Sequence, residues 1–221
     1  MNLPLLSLLE TRVLGVLVEK QYTVPDTYPL TLNALLAGCT QKTSRDPVID
    51  ASAAEVQAVV DRLRQLSLVV ESSGGRAMRY AQNIGRVLAL PSESVALIAT
   101  LMLRGPQTAA EVRLNAERLH RFADVSSVEA YLAQLADREA RALVVQLQRA
   151  PGSREARWAH LLSGTPAQSV QTGESSTSAP IASAGAGEIA ALKTRVDALS
   201  REVDELRAAL ASVMDDLGVK R

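Results

Sequence analysis

Apolar side chains recur at intervals of three and four residues in several separate stretches of the chain. After Ser7 they are Leu9, Val13, Leu14, Val16 and Leu17; after Ser52, Val56, Val59, Val60, Leu63 and Leu66; after Ser126, Val128, Tyr131, Leu132 and Leu135. This spacing puts them on one face of an α-helix. Each stretch opens with Ser or Thr followed three residues later by Glu, a pairing that satisfies two orphan backbone donors at a helix N-terminus. The pairs are Ser7/Glu10, Ser52/Glu55, Thr108/Glu111 and Ser126/Glu129. Two further helices complete the scheme. One starts near Pro29, a good first-turn residue, and stops at Gly38; the other runs from about Ser92 to Arg104 and ends at Gly105-Pro106.

Each trio of predicted helices is followed by a β-hairpin signal. Leu68-Val69-Val70 leads through Ser72-Ser73-Gly74-Gly75 to Met78-Arg79-Tyr80, and Leu143–Leu147 leads through Pro151-Gly152-Ser153 to Arg157–Leu161. Helix, helix, helix, hairpin therefore occurs twice. The pattern predicts a mainly α fold with small β-hairpins, of the α+β class: two winged-helix domains in tandem, at residues 1–90 and 91–163.

The pattern then breaks. Residues 164–187 are Ser, Thr, Gly, Ala and Pro with few large apolar side chains, too little to bury, and read as a flexible linker with a reach of roughly 25–30 Å. From Ile189 the spacing alternates three and four through Leu192, Val196, Leu199, Val203, Leu206, Leu210, Val213 and Leu217. Taking Ile189 as position a, the early a residues are β-branched and the early d residues are Leu, a combination that favours a parallel two-stranded coiled coil. Residues 188–221 are thus expected to be a dimerisation helix.

Charge and composition narrow the partners. Hydrophobic residues make up 47% of the 221-residue chain, and Lys plus Arg equals Asp plus Glu at 24 each. Nucleic-acid binding draws most of its affinity from neutralised phosphates, so it requires a local basic surface here. One cysteine, Cys39, excludes an internal disulfide framework and fits a reducing compartment. The apolar opening Leu3–Leu9 lacks a basic n-region and is interrupted by Glu10, Arg12, Glu19 and Lys20, unlike a signal peptide. No stretch approaches the ~20 apolar residues of a membrane span. A cytoplasmic protein without a membrane partner is expected.

Three stretches are more distinctive than connections need to be. They are Glu19-Lys20-Gln21 with Pro25–Asn33; Gln41-Lys42-Thr43-Ser44-Arg45-Asp46-Pro47-Val48; and Leu103-Arg104-Gly105-Pro106-Gln107-Thr108 with Pro151–Trp158. On these the chain resembles the YceH-like family of uncharacterised bacterial proteins. This chain carries Thr40 where the family pattern has Asn, in Cys39-Thr40-Gln41. The resemblance implies a tandem winged-helix fold and no particular activity, substrate or cofactor.

Candidate chemistry is sparse. His120 and His160 have no Cys, His or Asp at metal-ligand spacing, Cys39 sits beside Gly38 past an apolar helix where a packed thiol is the commoner outcome, and no phosphate-cradling Gly-rich loop is present. No catalytic residue, metal or cofactor is assigned, and the protein is expected not to be an enzyme. For DNA, the third helices open on Ala51-Ser52-Ala53-Ala54-Glu55 and Ser126-Ser127-Val128-Glu129, without the Arg, Asn and Gln side chains that read base edges. The candidate nucleic-acid set is instead Lys42 and Arg45 with the hairpin arginines Arg76, Arg79, Arg149, Arg154 and Arg157; Arg113, Arg118 and Arg121 add a basic stripe. Tyr28 and Asn33 join Lys42 and Arg45 in a possible recognition surface. The alternative is that Pro25, Pro29 and Pro47 merely fix turns and the arginines pair with nearby carboxylates. The reading leans to a dimeric DNA-associated regulator, whose weak modules gain avidity by pairing, with a non-enzymatic protein-interaction adaptor as the alternative.

Overall fold

In a computed structural model that describes residues 3–74, 77–149 and 155–165, the chain folds as seven α-helices and two antiparallel hairpins among those residues. Helix α1 (Leu8–Thr23) is capped by Ser7: the Glu10 amide donates to Ser7 Oγ at 3.2 Å and the Ser7 amide to Glu10 Oε2 at 2.6 Å. A 3-10 turn at Pro25–Thr27 leads to α2 (Leu32–Cys39), which starts at the Thr31 cap, later than Pro29 suggests. Helix α3 (Ala53–Gln65) carries the expected Ser52/Glu55 box. Strands β1 (Val69–Gly74) and β2 (Ala77–Gln82) pair from Val69 with Gln82 to Gly74 with Ala77. The predicted turn residues Ser72 and Ser73 therefore belong to the ladder.

A short α4 (Ile84–Val87), absent from the sequence prediction, leads to the second copy. It comprises α5 (Ser92–Arg104), α6 (Ala109–Ala116), α7 (Val125–Ala136), β3 (Val144–Gln146) and β4 (Trp158–His160). Thr108 and Glu111 cap α6 as expected. Helix α7 starts earlier than the Ser126/Glu129 pair predicts: Asp124 Oδ1 accepts from the Ser127 amide at 2.7 Å, and Ser127 Oγ accepts from the Asp124 amide at 3.4 Å. Asp is at least as good an N-cap as Ser, so the earlier of two overlapping boxes wins.

The copies match in a detail that linear pattern does not show. Leu30, just before the Thr31 cap, exchanges backbone hydrogen bonds with Tyr80 of β2 at 3.0 and 2.8 Å. Gln107, just before the Thr108 cap, does the same with Trp158 of β4 at 3.0 and 2.6 Å. Each hairpin thus gains a third, one-residue rung from the entry to its second helix, and an aromatic side chain seats it on the core.

The two copies share one hydrophobic core. Helix α5 is buried from Ser94 to Leu103, all the way round, and α1 from Glu10 to Val18. A helix apolar on every side must be covered on every side, and α1 and α5 cover each other. They approach closely at Gly15, where a Cβ would lie 2.9 Å from Leu103 Cδ2. Helix α5 ends at Gly105, whose φ of +69° suits glycine. No described helix is long and apolar enough to cross a membrane. The expected linker (164–187), apart from its first residues, and the expected coiled coil (188–221) lie outside the described residues.

Candidate functional site

Parts of the three distinctive sequence stretches meet where the two copies join. Glu19 and Lys20 lie near the end of α1, residues 41–48 form the loop after α2, and Leu103 to Thr108 link α5 to α6. The Asp46 amide donates to Leu103 O at 2.8 Å, tying the loop of the first copy to the last turn of α5. Two arginines pin that loop from within. Arg12, fully buried in the middle of α1, donates to Cys39 O at 3.3 Å and Pro47 O at 2.6 Å. Its Nε has no partner among the described residues, and burial, with Arg45 nearby, pulls its pKa down.

Arg45 is the second pin, and its position corrects the sequence reading. It was a candidate for phosphate contact or for a solvated surface charge, yet its side chain has 0% exposure. Its Nε donates to Gly38 O at 3.1 Å, while one terminal nitrogen donates to Ser44 O at 2.9 Å and Glu19 Oε1 at 3.1 Å. The other donates to Glu19 Oε2 at 2.6 Å. The planar fork matches the carboxylate two-point, which is what Arg does best in a buried setting. Burial alone pushes the Glu19 pKa up, but Arg45, helped by Lys20 at 3.3 Å, holds it below the usual carboxylate value.

The other candidates scatter. Lys42, Arg149 and Arg157 are exposed. Arg79 is half-buried and donates to Thr27 O at 3.2 Å and Pro29 O at 2.8 Å, bracing the segment before α2. Tyr28 is likewise structural, its hydroxyl accepting from the Gln82 amide at 2.7 Å, while Asn33 is exposed. Arg76 and Arg154 lie outside the described residues. Cys39 is fully buried and burial pushes its thiol pKa up to about 12, the state of a packed side chain rather than a nucleophile.

Sequence reasoning passed over Lys20 and Arg104, and noted Arg118 only as part of a stripe. All three line one cavity of about 170 Å³ at the junction, with Glu19, Gln41 and Ser44 from the first copy and Asn115 from the second. Their place inside or beside the distinctive motifs was the available signal. Nothing in linear order shows that α1, α5 and α6 end around a common space.

The family model for a protein of unknown function, DUF480, matches residues 6–153, a span that holds the first two motifs and the Leu103–Thr108 part of the third. The chain belongs to the DUF480 family. A UPF0502 protein of Dechloromonas aromatica is 58% identical over 207 residues, covering 94% of this chain and 95% of its own length. Another from Methylibium petroleiphilum is 58% identical over 217 residues, with 98% and 92% covered. One from Burkholderia thailandensis is 54% identical, with 96% and 88% covered. The resemblance to the YceH-like family is thereby borne out. The likeness among these DUF480 relatives reaches well past residue 165, into the segment expected to be linker and coil.

Proposed function

We propose that this DUF480 protein is a non-enzymatic cytoplasmic adaptor that binds another protein through two winged-helix units. The observation that carries the reading is the outward face of the two third helices. On α3 it is Ala53, Ala54, Glu55 and Ala58, with Arg62, Arg64 and Gln65 exposed near its end; on α7 it is Ser126, Glu129, Ala130, Ala133 and Gln134, followed by exposed Asp137 and Glu139. Three polar side chains of α3 that might read bases are already engaged. Arg62 pairs with Glu10 at 2.7 Å, Arg64 with Asp61 and Glu71, and the Gln57 amide bonds Asp61 and the Tyr80 hydroxyl. Alanines let a partner backbone approach closely. Glu129 on α7 and Asp137 and Glu139 just after it, without an ion pair among the described residues, suit a partner segment rich in Lys or Arg and would repel phosphate. The rung from residue 30 or 107 to the hairpin in each copy supports the winged-helix assignment.

A DNA-associated regulator is the second reading, favoured by exposed Lys42, Arg149 and Arg157. Fluorescence anisotropy with a labelled random duplex separates the two. The full-length protein at micromolar concentration is expected to show no salt-dependent binding even at low salt. Binding that disappears in Arg149→Ala/Arg157→Ala would transfer the assignment to DNA. On the adaptor side, Glu129→Lys/Asp137→Lys should lose the proteins that the wild type retains from a cell extract. Identical capture by both would remove α7 from the interface. The heptads of 188–221 support self-association of this adaptor. Deleting them should halve the mass seen by light scattering and leave a folded monomer; an unchanged mass would end the coiled-coil proposal.

A further inference from the structure

The junction cavity holds more positive charge than its surroundings use. Lys20, Arg104 and Arg118 line it, and Arg45 lies behind Glu19. Glu19 is the lining carboxylate, and both its oxygens are taken by Arg45, with Lys20 at 3.3 Å from one of them. Helices α1, α5 and α6 all end here, and each C-terminus contributes roughly half a negative charge. Four cations against Glu19, the Asp46 carboxylate that borders Gly105, and three helix ends leave an excess of about half a positive charge. The neutral lining groups do not offset it. The hydroxyls of Thr23 and Thr100 already donate to Glu19 O at 2.9 Å and Ala96 O at 2.8 Å, and the Asn115 amide donates to Gln107 Oε1 at 2.6 Å. Arg104 is half-buried and has no hydrogen bond or ion pair among the described residues. Burial lowers its pKa, opposed by Glu19 and reinforced by Arg45.

We propose that this cavity binds a small dianionic oxyanion of the phosphate type, held by Arg104, Arg118 and Lys20. A volume of about 170 Å³ is roughly that of five or six waters and below the 300 Å³ at which drug-sized sites begin, so the ligand is phosphate or a small phosphate ester. Guanidinium forks match its oxygens two at a time. Because Lys20 belongs to the first copy and the two arginines to the second, an occupant bridges the copies and tightens the junction. This ligand site uses none of the α3 or α7 faces and stands independently of the adaptor reading.

Isothermal titration of the full-length protein with inorganic phosphate, at constant ionic strength in chloride, tests it. Saturable one-site binding is expected. Arg104→Gln and Arg118→Gln should each weaken it about tenfold or more, the loss of one charge-assisted hydrogen bond. Arg118 is exposed, so its variant keeps the fold. Arg121→Gln, an exposed arginine outside the cavity lining, should bind as the wild type does. Absent binding, or equal weakening by Arg121→Gln, overturns the proposal. So does malonate binding where phosphate does not, which would mark a dicarboxylate site. A random duplex that engages Arg104 and Arg118 in preference to free phosphate overturns it in favour of nucleic acid.

Discussion

Alanine in place of Arg45 should lower the unfolding free energy by roughly 3–5 kcal/mol, the usual loss when one partner of a buried ion pair is removed. The substitution strands Glu19, whose side chain is 16% exposed, and leaves Gly38 O and Ser44 O without their side-chain donor. Those carbonyls belong to the segment that Arg12 pins from the other side and that the Asp46 amide ties to Leu103 O. The loss therefore loosens the first copy's grip on the second. Urea denaturation measures it directly. Arg45→Lys should recover only part of the stability, because an ammonium cannot make the two-point fork. Arg45→Met combined with Glu19→Met should recover most of it, because exchanging a buried pair for apolar groups of similar volume is often neutral. A single-variant loss under about 1 kcal/mol, the value of an exposed surface pair, would mean that Arg45 is not the pin described.

The same pair has an acid limit. Glu19 is held below its ordinary pKa in the fold, so its contribution is complete above the unfolded value of 4.5 and fades as pH falls through the lower folded value. Wild type and the double methionine variant should be close in stability near neutral pH and part at that acid end, where only the wild type loses the Glu19 contribution.

The elements were legible from the sequence because their signals are local. A Ser or Thr with Glu three residues on needs only one turn of helix to act, and three of the four predicted boxes form as expected, at Ser7, Ser52 and Thr108. The fourth failed because Asp124-x-x-Ser127 overlaps Ser126-x-x-Glu129, and pattern alone does not rank them. The 3-10 turn at Pro25–Thr27 and α4 at Ile84–Val87 are too short to show a hydrophobic period. The shared core had a visible sign in the all-round apolar run from Val95 to Leu103, which a helix lying on a single small domain does not need. The junction's sign was only that its residues fall in or beside the distinctive motifs, which does not show that they meet. Whether an arginine in a polar, proline-bounded loop meets water or a carboxylate depends on what packs over it. For Arg45 that is α1, 26 residues earlier in the chain.

Lowering the pH from about 6.5 to 4.5 should destabilise the protein by roughly 2 kcal/mol through His160 alone. His160 closes β4 opposite Val144, its Nδ1 has no partner among the described residues, and burial lowers its pKa to about 4. In the unfolded chain the ring takes a proton near pH 6.5; in the fold it does not until about pH 4. Between those values the unfolded state binds the extra proton, so stability rises with pH at up to about 1.4 kcal/mol per unit. Depressed carboxylates such as Glu19 act only below about 4.5, so the upper part of the window isolates the histidine. His160→Gln cannot titrate and should remove the slope between pH 6.5 and 4.5 while leaving stability at pH 7.5 within about 1 kcal/mol of wild type, one side-chain hydrogen bond at most. Urea unfolding of both proteins at half-unit pH steps makes the comparison, and parallel profiles would show that the ring is hydrated in solution.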